Sequence, residues 1–585
     1  MKQGYLFVLF FFFGNGLFAQ SNILITNPEA KQVLLGDFDT EDYAPAFPVG
    51  DPAWIAEMIA TQVSPDSVKA YLETLASFEN RNTGADTMST TTGIGAARRW
   101  VYEKFKDYSD FASDRLLVSY LQFDQSICGM GQHRNIFAIL PGQGPQYQEV
   151  VLVEAHLDSR CADVCDINCL AEGMEDNGSG TALVLELARV MSLYTFNRSI
   201  VFLITIGEEQ GLLGANAFAE YCYTKGVQLK AVLNNDIIGG IICGQTASPP
   251  GCPGLNDIDS INVRIYSKGV FNSKHKQLAR FSKLEYQEML QPFMAVKPVV
   301  NIMTPEDRTG RSGDHISFQK KAFASIRYTA ANEHGNGDPN GTPGYEDRQH
   351  TKDDILGVDT NNDGVLDSFF VDFHYLARNA MLNGNALAMA AAGPVPPENL
   401  VVEPVNNGFT VSFDDPNEYG IYRVGVRKYW TNDWDTVYTI YSTQDTIYGP
   451  APDPEEEYAV SVASVDANGV ESLFSGEEAV TIATGLREVR FREKGVTLLQ
   501  NHPNPFDEAT VIAVRVDESV AYREAYIAVY NIEGRELARL PIDLQPGLNE
   551  VVYGFEHHDY IPGTYAYSLV VDGRTVETRQ MVYAY

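Results

Sequence analysis

The chain has 585 residues, 44% of them hydrophobic and 11% aromatic, and its 77 acidic against 43 basic side chains leave a formal net charge of -34. That length exceeds what one core supports, so three or four domains are expected. A surface this acidic repels phosphate backbones and anionic lipid heads, which argues against nucleic acid as a partner.

Lys2, the apolar run at 6–13 and Leu17-Phe18-Ala19 read as an export signal over residues 1–19, cut before Gln20. The run is too short to span a bilayer, and no later segment approaches the length of a helical span. The mature chain is therefore expected to be secreted or held at the cell surface, with no membrane span. Cysteines 128, 161, 165, 169, 222, 243 and 252 all lie mid-chain. In an exported protein they read as disulfides. The alternative, a thiolate metal site from the four-residue repeat of Cys161, Cys165 and Cys169, has no histidine beside it. Cys243 and Cys252 would close a short Pro/Gly loop, and the odd count leaves one thiol unpaired or pairs it with another chain.

Residues 20–61 are mixed in character and read as an N-terminal arm or a propeptide. Ser64-Pro65-Asp66 is a helix start, with a capping serine before proline at the first helical position, and Val68, Tyr71, Leu72 and Leu75 follow at helical spacing. A second helix is expected over 95–106. Buried strands are expected at 135–140, 150–155, 201–206 and 231–233, with an amphipathic helix at 181–194 and a last helix at 372–392. Strands alternating with helices predict an α/β unit over 62–392, a mixed, mostly parallel sheet flanked by helices. Ligands of such sheets sit at the carboxyl ends of strands. Gly393-Pro394-Val395-Pro396-Pro397 is a stiff boundary, and two all-β sandwich domains are expected beyond it. The first, 395–485, has alternating strands and the turn signal Asn468-Gly469, and its pattern resembles a fibronectin type III domain.

Several chemistry-bearing motifs fall at the predicted strand ends. His156 and Asp158 follow the strand at 150–155. Glu175-Asp176-Asn177-Gly178 opens the helix after it, and for Asp176 alone a helix-capping role is the simpler reading. Glu208 and Glu209 follow an apolar strand. As surface residues they would repel each other, whereas beside cations one can ligate and the other can take a proton from a metal-bound water. Asp236 ends another strand, and Arg348-Gln349-His350-Thr351-Lys352-Asp353-Asp354 adds a late histidine.

Together these blocks resemble the di-zinc exopeptidase family that includes bacterial leucyl aminopeptidases, glutamate carboxypeptidase and glutaminyl cyclase, over about 64–392 and in the family's order. The resemblance implies two zinc ions. His156 and Asp236 would hold one, Glu209 and His350 the other, and Asp176 would bridge them. Asp158 would orient the His156 imidazole and Glu208 would be the general base. Ser312-Gly313-Asp314-His315 departs from the family's Ser-Asp-His stretch by an inserted glycine and receives no role. Asn235 and Gly178 replace residues common in the family without touching a ligand. The tail, 490–585, carries Gln500-Asn501-His502-Pro503-Asn504-Pro505-Phe506 and Pro562-Gly563-Thr564-Tyr565. It resembles the C-terminal sorting domain of bacterial type IX secretion, which implies that machinery as a partner.

Asp359, Asn361, Asp363, Val365 and Asp367 stand at the alternate positions of a calcium loop with Gly364 at its sixth place. The twelfth place is Phe370, so the stretch fits an Asx-rich turn equally well. The leading expectation is a secreted aminopeptidase acting on peptides. A carboxypeptidase or dipeptidase of the same fold is the alternative, with Arg308 or Arg311 as candidate carboxylate anchors. A glutaminyl cyclase, and last a non-catalytic adhesin-like binder, complete the alternatives.

Overall fold

Apolar runs at 150–153, 200–204 and 231–233 have no polar face to offer water, so they form strands covered on both sides, and every residue in them is buried. The computed structural model describes residues 20–584 apart from 245–248, 309–310, 334–336, 342–344, 346, 406, 449–456, 482–494, 517–519, 521, 533 and 555–561. The expected export signal therefore lies outside the described residues.

Nine strands form the main sheet: β1 Ser21–Ile25, β2 Leu117–Ile127, β3 Met130–Leu140, β4 Glu149–His156, β5 Ser199–Thr205, β6 Gln228–Asn235, β7 Asn262–Tyr266, β8 Val299–Ile302 and β9 Ser325–Ala330. Their order is β1-β2-β3-β5-β4-β6-β9-β7-β8. The centre, β5-β4-β6-β9, is parallel throughout, and antiparallel pairings join β1, β2 and β3 to it on one side and β7 on the other. Helices Pro52–Gln62, Pro65–Ala76, Gly93–Phe111, Ser179–Met191 and Phe373–Ala392 pack into the core on one face, and Pro28–Leu34, Leu213–Lys225 and His315–Lys320 into that on the other. The unit is a mixed sheet, parallel at its heart and flanked by helices.

Local signals act as the sequence suggested. Ser64 Oγ accepts the Ser67 N–H ahead of helix Pro65–Ala76, which buries Val68, Tyr71, Leu72 and Leu75. Residues 20–61, expected as an arm or propeptide, are built into the unit. They supply edge strand β1 and bury Ala30, Val33, Leu34, Ile55, Ala56 and Ile59. The 393–397 boundary is held by Arg198, whose guanidinium donates to the carbonyls of Gly393 at 2.5 Å and Pro394 at 3.2 Å. Beyond it, antiparallel sheets of three and four strands follow over 398–481, and again three and four over 496–583.

Candidate metal centre

In a parallel sheet, neighbouring strands end on one edge. β4 ends on His156, β5 gives way to Gly207-Glu208-Glu209, and β6 to Asp236. Gly207 turns the chain with φ of 73°, a conformation glycine adopts without strain. Asp176 lies in the turn before helix Ser179–Met191, and His350 in the loop before the last helix.

Ligand atoms from these residues fall into two groups that share Asp176: His156, Asp176 and Asp236 in one, and Asp176, Glu209 and His350 in the other. Within each group they lie no more than 4.8 Å apart. His156 Nε2 is 3.2 Å from Asp176 Oδ1 and 3.9 Å from Asp236 Oδ1. His350 Nε2 is 2.9 Å from Asp176 Oδ2 and 3.4 Å from Glu209 Oε2. The two oxygens of Asp176 thus address different histidines, the arrangement a bridging carboxylate needs. Among the described residues, His156 Nε2 and Glu209 Oε1 are buried without a hydrogen bond, which leaves both atoms open to a further partner. Imidazole nitrogens with carboxylate oxygens suit zinc, so the residues present fit that metal.

A second set of contacts fixes the ligands. The Asp158 carboxylate accepts the backbone N–H groups of Glu208 at 3.3 Å and Glu209 at 3.2 Å, and the Thr83 hydroxyl at 3.2 Å. His156 Nδ1 lies 3.0 Å from the Asp158 carbonyl and 3.5 Å from its carboxylate. The expected role of Asp158 therefore widens: its carbonyl is the nearer partner of the imidazole, and its carboxylate orients the Glu208-Glu209 turn. Asp354 accepts the N–H groups of Glu175 at 2.8 Å and Asp176 at 2.9 Å, and Gln349 Nε2 donates to Asp176 Oδ2 at 2.7 Å. His350 Nδ1 bonds the Gly337 carbonyl, which leaves Nε2 facing the acids.

Carboxylate outnumbers cation here. Burial pushes Glu208 well above the usual carboxylate range, an effect that His156 opposes and Asp236 and Glu209 reinforce. Burial likewise raises Glu209, against His350 and Arg160. For His156 burial works downward, but Asp158, Asp176 and Asp236 outweigh it and hold its proton. Burial opposes ionisation of Asp176, yet His156 and His350 keep it well below the ordinary range. Divalent ions bound by these ligands would displace the protons now held.

Other expected residues lie elsewhere or do other work. Arg308 and Arg311, the candidate carboxylate anchors, both face buried Glu333, at 3.4 and 3.2 Å. Asp314, left without a role, is fully buried and accepts the Thr205 hydroxyl at 2.5 Å. In the 359–367 loop the acids accept from the loop itself: Gly364 N to Asp359 at 2.7 Å, Val365 N to Asp363 and Thr360 N to Asp367 at 2.9 Å each. Disulfides join Cys128 to Cys165, Cys161 to Cys169 and Cys243 to Cys252, leaving Cys222 buried and free. Three contributors escaped the sequence reading: Arg160, Gln349 and Asp354. Each sits inside or beside a quoted motif, but nothing in spacing alone separates a ligand's support from its neighbours.

A family model described as Peptidase family M28 matches residues 135–242, a span that holds His156, Asp176, Glu208, Glu209 and Asp236 and ends before His350. A probable zinc metalloprotease of Pyricularia oryzae is 30% identical over 382 residues, 61% of this chain and 72% of that protein. Another from Leptosphaeria maculans is 28% identical over 361 residues, 59% of this chain and 79% of that protein. Among solved structures, LapB from Legionella pneumophila aligns at 18% identity with a TM-score of 0.41, over 58% of this chain and 75% of its own.

Proposed function

The chain belongs to peptidase family M28, a family of zinc metallopeptidases, and from that premise we propose that it is an exported two-zinc aminopeptidase releasing N-terminal residues from peptides. The observation that carries the reading is the pair of ligand groups joined by Asp176, with Glu208 next in sequence to one ligand and a member of neither group. Bound there, zinc would polarise a scissile carbonyl and acidify the attacking water. His156 and Asp236 would hold one ion, Glu209 and His350 the other, and Asp176 both. Glu208 takes the water's proton and returns it to the leaving amine. Its burial keeps that carboxyl's proton affinity high, as a group that must both accept and release a proton requires. Asp158 fixes where Glu208 stands by holding the backbone of the turn.

The likeness of the motif blocks around His156, Asp176, Glu208-Glu209, Asp236 and His350 to those of bacterial leucyl aminopeptidases supports the aminopeptidase polarity. One observation favours the opposite polarity. Among the described residues Arg311 Nη1 is buried without a hydrogen bond, and Arg311 and His350 both border Gly337, so a substrate carboxylate would find a donor there. Hydrolysis of leucyl-p-nitroanilide, compared with N-blocked peptides, separates the two. Release from N-blocked peptides alone would overturn the aminopeptidase reading, and activity surviving complete zinc removal would overturn both.

The reading extends to the rest of the chain. Sheets of three and four strands support a fibronectin type III-like domain over 395–485. The motifs at 500–506 and 562–565 support a sorting tail recognised by the type IX secretion machinery, tested by whether deleting 490–585 keeps the protein inside the cell. Calcium at 359–367 rests on the spacing of its acids, and a calcium titration that leaves the melting temperature unmoved would remove it.

A further inference from the structure

Arg160 immediately follows the His156-Leu157-Asp158-Ser159 block and stands against the second ligand group. Its Nε donates to Glu209 Oε2 at 2.7 Å, its Nη2 lies 2.7 Å from His350 Nδ1, and its side chain is 14% exposed. It reaches there from a loop closed by Cys128–Cys165 and Cys161–Cys169. Three amides pin that loop further: Asn82 and Gln210 each donate to the Val164 carbonyl at 2.9 Å, and Asn80 to the Cys169 carbonyl at 2.6 Å. The backbone under Arg160 is thus fixed, and only its side chain can yield.

The first ligand group also has a guanidinium beside it, but a neutralised one. Arg327 Nη2 is 3.5 Å from Asp236 Oδ2, and it also pairs with Glu333 at 2.5 Å, while its Nη1 pairs with Asp307 at 2.7 Å. Glu209 is the carboxylate that Arg160 pairs with among the described residues, and it is also a ligand of the second group. Two cations then address one carboxylate. A fixed positive charge beside a divalent ion opposes its binding, and a guanidinium bonded to one carboxylate oxygen draws that oxygen's electron density away from a metal.

We propose that Arg160 is a tethered competitor for Glu209: it neutralises this ligand while the second position lacks its ion, and it weakens the zinc held by Asp176, Glu209 and His350 relative to that held by His156, Asp176 and Asp236. Arg160 is on this account a positioning residue that acts through Glu209. The inference rests on the two-zinc reading above.

Its test is a zinc titration of the full chain at neutral pH against a chromophoric chelator, with ions counted by mass spectrometry, in wild type, Arg160→Gln and Arg160→Lys. Circular dichroism and melting temperature check that each variant is folded. Wild type should bind two ions in two affinity classes, and Glu209→Gln should lose the weaker one. Arg160→Gln should tighten the weaker class by roughly 10- to 100-fold, the range over which partners of metal ligands act, and leave the tighter class unmoved. Arg160→Lys, which keeps the charge, should stay near wild type. An unchanged or weakened second class in Arg160→Gln overturns the proposal, as does Arg160→Lys behaving like Arg160→Gln. Fewer than two ions in saturated wild type would instead overturn the two-zinc reading, and this inference with it.

Discussion

Where the peptidase unit meets the first sandwich, Glu477 accepts from Arg427 at 2.7 and 2.8 Å, from Arg280 at 2.9 Å and from the Asn272 backbone at 2.7 Å. All three charged side chains are at most 1% exposed. The metal centre is less deeply buried, with the side chains of Asp176, Glu209, Asp236 and His350 3–11% exposed. Its acids face two imidazoles, Arg160, and an Arg327 already shared with Glu333 and Asp307, and among the described residues His156 Nε2 and Glu209 Oε1 have no hydrogen bond. Buried charge persists when it is paired, and otherwise the group takes up a proton or an ion. The junction closes its charge with the chain's own guanidinium groups and is structural. The centre does so only in part, through Arg160 at Glu209 and a shared Arg327 at Asp236, and the remaining surplus of carboxylate suits it to divalent ions.

Removing the shared carboxylate should break this contrast most completely. Asp176→Ala is expected to bind neither zinc tightly and to hydrolyse no peptide detectably, while its junction stays intact. A variant that still carried two ions would show that the bridging role is misassigned. Glu208→Gln should be gentler on the metal and harsh on the chemistry. Both ions stay, and turnover falls by about 10²- to 10⁴-fold, the range of a lost general base. Unchanged turnover would leave the water's proton to another group. At the junction the sign of the experiment reverses. Glu477→Gln should lose about 3–5 kcal/mol of stability by denaturant unfolding, the cost of stranding a buried partner, with zinc content and turnover per folded molecule unaltered.

The same contrast marks how far the sequence could be read. Helix Pro65–Ala76 and strands β3 to β6 were legible because capping residues and apolar runs are local signals. The candidate ligands His156, Glu209 and Asp236 stood out because they follow or end apolar strands, whereas Asp176 and His350, in a turn and a loop, were singled out only through the family resemblance. Asp158 was legible as a partner of His156, but not as the acceptor of two backbone N–H groups fifty positions on, since backbone contacts leave no mark on side-chain choice. The Arg280–Glu477–Arg427 junction was invisible for a related reason. Its members come from two domains, and isolated arginines and glutamates mostly stand on solvated surfaces. Residues 20–61 left an arm and a propeptide equally open because a single edge strand and two short helices make a weak pattern until a sheet exists to receive them.

Glu333 lies between the two extremes and gives the subtlest test. It is fully buried close to the metal centre, yet it is satisfied by protein. Arg327 pairs with it at 2.5 Å, Arg311 at 3.2 Å and Arg308 at 3.4 Å, and the Thr329 hydroxyl donates at 2.5 Å. Burial alone would raise its carboxyl, but Arg327, Arg308 and Arg311 outweigh burial and bring it down to about 2 from 4.5. The folded state therefore binds this proton more weakly than the unfolded chain does. Its contribution is complete above about pH 4.5 and disappears as pH falls towards about 2. A shift of that size corresponds to about 3 kcal/mol. Urea unfolding of wild type and Glu333→Gln should accordingly show a gap of about 3 kcal/mol near neutrality, shrinking below about pH 4.5 and nearly closed at about pH 2. Both proteins protonate their metal-centre carboxylates over the same range, so the difference between them isolates Glu333. A gap that stays constant down to acid pH would mean that the three guanidinium groups hold the loop through shape and not charge, and Glu333 would then lose its place beside the junction as a charge closed by the protein.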